Sequence, residues 1–243
     1  MSLSAPSSRA AFAALLTALS LIVMLAAGAF ATRARQTTWA PPARGHASVI
    51  AQGIVIPPDP EAIWRVTSFE LDAGQPKIEL AADDVLVVDR GALITDEGTG
   101  RRALLLPGEA SFQPRSVHLA DATATGAAFA IELAPNDAPD PEAGTASYAG
   151  PAFVPPTGPR DFDLVRDVLE PGESTTVIGQ ETPVLVLATA GAIDVKATDG
   201  TSARFRAGEA GAFSGDVIVT GLGDDASSFV AAVIGQEIVE SSP

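Results

Sequence analysis

Beyond residue 59 the chain is a succession of short apolar runs, each followed by Gly, Asp or Pro. Short runs between turn residues are typical of β-strands, and no stretch here keeps the period of an amphipathic helix. The pattern predicts an all-β protein with a closed or double-sheet antiparallel architecture. Six strands are predicted in each half of this region: 63–71, 85–88, 92–95, 102–106, 117–119 and 128–133 in the first, and 164–169, 184–187, 193–197, 203–206, 217–220 and 229–234 in the second.

The two halves resemble each other when one is shifted by 100 residues. Between Gly91 and Ala110, seven of twenty positions then carry the same residue, where about one or two matches are expected by chance. Phe129 and Phe229 continue this register, whereas LDAG at Leu71 and LEPG at Leu169 lie 98 residues apart. We therefore interpret the two halves as a duplication.

Two proline-rich segments divide the chain, at residues 32–58 and 136–159. Proline favours extended backbone over helix, so these segments are predicted to be a tether and a linker. The domain prediction is an N-terminal helix over residues 1–31, the tether over 32–58, a first barrel over 59–135, the linker over 136–159 and a second barrel over 160–240.

The N-terminal helix is predicted to enter a membrane. Between Arg9 and Arg33 lie 23 uncharged residues, which at about 1.5 Å each form a helix long enough to span a bilayer. The run is longer than the apolar core of a usual signal peptide and favours an uncleaved anchor, with secretion after cleavage at Ala31 as the alternative. We expect the β domains to lie outside the cytoplasm. Because Arg33, Arg35 and Arg44 follow the helix, a cytoplasmic location stays open.

Charge and cysteine content exclude several classes of function. All 30 acidic residues lie at or beyond Asp59, together with only 11 of the 15 basic ones. Such an acidic body repels nucleic acid, so no nucleic-acid partner is expected. The chain contains no cysteine, which excludes disulfides, zinc–thiolate sites, a thiol nucleophile and a lipoprotein anchor.

Two pairs of segments carry a family resemblance. VLVVDRGALIT followed by LLLPGEASFQPRSVH, and VLVLATAGAIDV followed by FRAGEAGAFSG, resemble the cupin superfamily, in which a strand ends at a glycine and a hairpin leads to a second strand. The resemblance covers residues 63–234 and implies two tandem jelly-roll barrels, a bicupin, behind the N-terminal helix. Independently of the family, Gly91, Gly108, Gly191 and Gly208 are predicted to occupy turns at strand ends.

The resemblance also indicates where a site would lie. Metal-binding cupins carry two histidines and a glutamate in a first motif and a further histidine in a second. Counting back from Gly91 places Asp84 at the glutamate position, while residues 77–80 include Glu79 but no histidine. His118 lies within one residue of the second-motif histidine, and Arg115 beside it could meet an anionic ligand. A histidine bonded to a neighbouring strand is the simpler interpretation of His118.

These observations favour a non-catalytic module that binds a small ligand or an envelope protein, with Asp84, Glu79, His118 and Arg115 as ligand-binding candidates. No catalytic residue, metal or cofactor is predicted. One alternative is a residual cupin enzyme, an isomerase or metal-dependent oxygenase, that uses His118 with Asp84 or Glu79. The other is a ligand-sensing regulatory domain that faces the cytoplasm.

Overall fold

The computed structural model describes residues 43, 44, 46–75, 77–81, 84–98 and 100–238. The helix predicted over residues 1–31 lies outside the described residues, as does the first part of the tether. Within the described ranges the chain forms strands and no helix, so the all-β prediction is confirmed for this part of the chain. Accordingly, none of the described residues belongs to a helix long and apolar enough to cross a membrane.

Two sets of eight strands make up most of the fold. The first set, barrel 1, consists of β3 (Ala62–Leu71), β4 (Ile78–Glu79), β5 (Val85–Arg90), β6 (Leu93–Asp96), β7 (Arg102–Leu105), β8 (Ala110–Phe112), β9 (Ser116–Leu119) and β10 (Gly126–Pro135). The second set, barrel 2, consists of β12 (Arg160–Leu169), β13 (Ser174–Val177), β14 (Val184–Ala190), β15 (Ala192–Ala197), β16 (Ser202–Arg206), β17 (Ala210–Phe213), β18 (Val217–Leu222) and β19 (Ser227–Glu237). Each of the twelve predicted strands corresponds to one of these elements.

Both barrels have the strand order of a jelly roll. In barrel 1 the strands β3-β10-β5-β8 form one sheet and β4-β9-β6-β7 the other. In barrel 2 the equivalent orders are β12-β19-β14-β17 and β13-β18-β15-β16. We call the sheets that contain β3 and β12 the inner sheets, because they pack against each other. The same topology therefore occurs twice in the chain.

Three further strands lie in the segments expected to be tether and linker. They are β1 (Ala43–Arg44), β2 (Ser48–Val55) and β11 (Thr145–Ala149). Strand β2 pairs with β12 of barrel 2, and β11 pairs with β3 of barrel 1, so each barrel receives an edge strand from the segment that precedes the other. The prolines of these segments flank the strands and do not interrupt them, which is why a proline-rich composition is compatible with pairing.

Apolar side chains form three cores. One core lies inside each barrel, and the third lies between the inner sheets, where Trp64 and Phe129 of barrel 1 meet Leu164 and Leu187 of barrel 2. Alternate residues of one strand serve different cores, as the pleat of a strand requires. The Trp64 indole also donates a 2.7 Å hydrogen bond to the carbonyl of Pro183, so polar bonds join the barrels as well.

The glycine turns of the two halves are built alike. Gly108 and Gly208 have φ of 83° and 85°, and the Glu that follows each accepts a 2.8 Å backbone hydrogen bond at its Oε2. The register suggested by Phe129 and Phe229 is wrong. Gly126 pairs with Leu71 and Ser227 with Leu169, so the offset there is 101, and Phe129 is equivalent to Val230. Phe129 consequently faces the core between the barrels, whereas Phe229 lies inside barrel 2.

Candidate functional site

A cavity of about 240 Å³ opens at one end of barrel 1. Its walls are the inward faces of β3 and β10, the connection from β4 to β5, and the segment that leads to β11. The residues that line it are Arg65, Thr67, Phe69, Glu79, Leu80, Ala81, Asp84, Ala130, Glu132, Pro141, Glu142 and Ala143. The segment that leads to an exchanged edge strand thus forms part of the wall.

Strand alternation delivers the polar side chains to this cavity. On β3, Arg65 and Thr67 point into barrel 1, while the intervening Val66 points into the core between the barrels. On β10, Glu132 lies directly opposite Arg65 in the strand register. A basic and an acidic side chain therefore lie side by side on the same face of this sheet.

Arg65 and Glu132 form a nearly buried ion pair. The guanidinium donates two hydrogen bonds to Glu132 Oε2, from Nη2 at 2.7 Å and from Nε at 3.0 Å, and a third to the carbonyl of Pro139. The two side chains are 10% and 16% exposed. Such burial is tolerated because each charge is compensated by hydrogen bonds. Both bonds from Arg65 end on Oε2, so Glu132 Oε1 is not bonded by Arg65.

Two of the four predicted site residues line this cavity. Asp84 is 6% exposed, and its Oδ2 accepts a 2.8 Å hydrogen bond from the amide of Ala81. Its own carbonyl accepts a 2.9 Å bond from Gln113 N, which places Asp84 at the beginning of β5. Glu79 is exposed at the rim and forms a 2.7 Å ion pair with Lys77. The structure thus brings Asp84 and Glu79 to one cavity.

The other two predicted residues lie elsewhere. On β9, Val117 and Leu119 pack inside barrel 1, so His118 between them faces outward, opposite Ile94. Arg115 is exposed, and its side chain covers Gly98 on the surface. Neither residue lines the cavity. Among the described residues, no group of three or more His, Asp or Glu is arranged to hold a metal ion.

Thr67 and Thr95 were not anticipated from the sequence. Thr67 is 4% exposed, lines the cavity and has a hydroxyl without a hydrogen-bond partner among the described residues. Thr95 lies on the inward face of β6, opposite Val117, fully buried and equally without a partner in the described part of the chain. The Thr95 hydroxyl is shielded from solvent and therefore destabilises the fold, whereas the Thr67 hydroxyl faces the open cavity.

Barrel 2 holds apolar side chains at four strand positions that carry polar side chains in barrel 1. The equivalents of Thr67, Thr95, Asp84 and Glu132 are Val165, Val195, Val184 and Val233, as the strand registers show. All four valines are buried. The same strand topology therefore packs with valine at each of these four positions. The offset of 100 residues found in the sequence matches Asp84 with Val184 and Thr95 with Val195, but it matches Glu132 with Ala232, so the sequence alone reveals only part of this contrast.

Barrel 2 has a different polar feature on its β12 wall. Asp161 and Asp163 lie two residues apart and so project from the same face, with Asp163 equivalent to Arg65 of barrel 1. Burial and the neighbouring Asp163 carboxylate raise the pKa of Asp161 to about 7. Burial also raises the pKa of Asp163. The two carboxyl groups therefore favour holding a proton at a pH where an ordinary carboxyl is ionised.

Comparison with known proteins finds only remote structural likeness. No protein-family model matches the chain, and no curated protein matches it. Similar solved structures include YhaK from Escherichia coli (14% identity, 82% of this chain and 90% of that one, TM-score 0.44) and a cupin 2 conserved barrel domain protein from Leptotrichia buccalis (10%, 79% and 90%, 0.40). A third is the Bacillus subtilis oxalate decarboxylase, which has Mn(II) centres (11%, 81% and 78%, 0.39). At these values the likeness carries no statement about function.

Proposed function

We propose that this chain is a tandem cupin-like module that binds a small ligand in the cavity of barrel 1 without transforming it. The observation that carries the proposal is the contrast between the barrels. Two copies of one topology share their strand positions, yet barrel 1 places Thr67, Asp84 and Glu132 where barrel 2 places valine. Polar groups at positions where the same scaffold also packs with valine are typical of a binding site.

The hydrogen bonds of the cavity support binding over catalysis. Arg65 is held by Glu132 and by the carbonyl of Pro139, and Asp84 is held by the amide of Ala81. A general acid or base has to exchange its proton with a substrate within hydrogen-bond reach. Side chains fixed by one another are suited instead to presenting a constant pattern of charge and acceptors.

The binding site can be tested by closing the cavity. Ala143 lines it from the segment before β11, so Ala143→Trp is expected to fill the space without disturbing a strand. Ala146→Trp, exposed on edge strand β11, is the matched control. We expect saturation-transfer NMR with a mixed panel of small amines, acids and sugars to detect a fragment bound to the parent and to Ala146→Trp but not to Ala143→Trp. A panel without any such fragment contradicts the proposal.

We further propose that residues 1–31 anchor the module in a membrane with the barrels outside the cytoplasm. Support comes from the 23 uncharged residues between Arg9 and Arg33. An alkaline phosphatase fused after Pro243 is expected to be active, and a fused β-galactosidase inactive. The opposite pair of results favours the regulatory alternative that faces the cytoplasm. The mass of the mature chain then distinguishes an anchor from secretion after cleavage at Ala31.

A further inference from the structure

We infer that the cavity of barrel 1 selects a small organic cation, a primary ammonium or guanidinium group on a short apolar body. The inference rests on the proposed binding function and names its ligand class. Four carboxylates line the cavity: Glu79, Asp84, Glu132 and Glu142. Arg65 in this lining is paired with Glu132, and Lys77 beside the rim is paired with Glu79, so among the described residues the carboxylates at the cavity outnumber the cations four to two. The charges that face the space favour a positive ligand.

Independently of the charges, the Thr67 hydroxyl supplies an acceptor for a ligand that donates hydrogen bonds. It belongs to a residue that is 4% exposed, it lines the cavity, and it has no partner among the described residues. On the neighbouring strand β10, Glu132 accepts both hydrogen bonds from Arg65 at Oε2, which leaves Oε1 as an acceptor. A hydroxyl and a carboxylate oxygen are acceptors that an ammonium or guanidinium group can satisfy together.

The carbon atoms of the wall indicate an organic cation and not a bare metal ion. Phe69, Leu80, Ala130, Pro141 and Ala143 all contribute to the lining. Apolar side chains gain from contact with a carbon body, and an aromatic ring also attracts a cation. The volume of about 240 Å³ is below the usual range of roughly 300–1,000 Å³ for drug-sized ligands, so the ligand is short.

An anion fits the same site poorly. Arg65 supplies the cationic group, but three of its N–H groups already donate to Glu132 and to the carbonyl of Pro139. Two of its five N–H groups remain, and a carboxylate ligand that used them would lie beside the carboxylate of Glu132, which repels it. Displacing Glu132 instead would leave a buried charge without its partner, which is strongly unfavourable. The charge of the ligand is therefore the property on which the site discriminates most strongly.

The test uses the full-length chain in a non-ionic detergent and four probes: butylammonium, 1-butanol, butyrate and calcium chloride. Binding is measured by NMR titration of the protein. We expect butylammonium to bind at least tenfold more tightly than 1-butanol, and to bind more weakly as KCl rises from 50 to 500 mM. Glu142→Gln, an exposed rim change, and Thr67→Val are expected to weaken binding severalfold. Asp225→Asn, an exposed change of the same charge outside the cavity, is expected to leave it unchanged.

The outcomes separate this inference from the proposed function. Tighter binding of butyrate or calcium, abolished by Ala143→Trp, overturns the cationic ligand and leaves the binding function standing. Butylammonium binding that survives Glu142→Gln, Thr67→Val and Ala143→Trp places the cation elsewhere and also overturns the inference. If no probe and no member of the mixed fragment panel binds in a manner that Ala143→Trp abolishes, both proposals fail.

Discussion

The hydroxyl of Thr95 lies inside barrel 1, fully buried and without a partner in the described part of the chain. Barrel 2 holds Val195 at the equivalent position and the hydroxyl of Thr175 in a hydrogen bond to Asp167. The same substitution should therefore act in opposite directions at Thr95 and Thr175. One removes a buried group that lacks a partner, and the other breaks a buried bond.

We expect Thr95→Val to raise the free energy of unfolding by about 1 kcal/mol and Thr175→Val to lower it by about 1–3 kcal/mol. Urea denaturation followed by tryptophan fluorescence measures both. Thr175→Val serves as the matched control, since it makes the same chemical change in the other barrel. Destabilisation by Thr95→Val would show that its hydroxyl has a partner in solution.

The carboxyl groups of Asp161 and Asp163 predict a dependence of stability on pH. Because the pKa of Asp161 is raised to about 7, the folded state holds a proton that the unfolded state has released. The free energy of unfolding contributed by this pair is therefore present at acidic pH and falls as the pH rises from about 4 to about 8. Asp161→Asn is expected to flatten that fall and to stabilise the protein at pH 8.

Thermal unfolding of the parent and of Asp161→Asn between pH 5 and pH 8 tests this expectation. The whole body is acidic, so any lost negative charge changes the general repulsion. Asp225→Asn, exposed and distant from β12 in sequence, corrects for that effect. Parallel pH profiles for the parent and Asp161→Asn would mean that the pair titrates as ordinary carboxyls.

At the scale of elements, edge strand β2 depends on a glycine. A Cβ at Gly53 would lie 2.1 Å from Cε1 of Phe112, whose ring packs on Phe162. Gly53→Ala is expected to destabilise the protein by about 1–3 kcal/mol, because the ring has to move within a packed core. In a Phe112→Leu background the cost of the same change should fall by at least about half. Additive costs in urea denaturation would contradict this contact.

The elements that the sequence revealed are those with long apolar runs. Strands such as β3 and β14 combine several Val, Ile or Leu residues and were located within a few residues of their bounds. Among the strands that were not predicted, β8, β13 and β17 read ASF, STTV and AGAF, in which small or polar residues give little signal. They are strands because their neighbours supply hydrogen-bonding edges, which is tertiary information.

The candidate site was predictable only in part for the same reason. Asp84 and Glu79 were found by their distance from the turn at Gly91. Arg65 and Glu132 are 67 residues apart and meet only through the register of β3 and β10. His118 was placed near a site by a motif, but the alternation of β9 directs it outward. The spacing of residues from the turn at Gly91 therefore predicted one side of the cavity. The ion pair on its opposite side depends on strand pairing that the sequence does not show.

At the scale of the whole molecule, the core between the inner sheets makes the barrels interdependent. Trp64, Val66, Phe129 and Ile131 of barrel 1 are buried against barrel 2. Residues 59–135 produced alone would expose all four side chains and would lack β11 at the β3 edge. We expect this fragment not to fold, as judged by poor amide dispersion in its NMR spectrum, whereas residues 41–243 give a dispersed one. A dispersed spectrum from the fragment would contradict this view.

The exchanged edge strands also set the order in which the protein can be completed during synthesis. Strand β2 is translated early, but β12, with which it pairs, follows more than 100 residues later. At typical translation rates of about 5–20 residues per second, β2 waits roughly 5–20 s for its partner. Barrel 1 likewise waits for β11 after its own eight strands exist. In the folded protein Ile50 and Val55 pack in the core between the inner sheets, so their apolar side chains are exposed on the nascent chain during that interval.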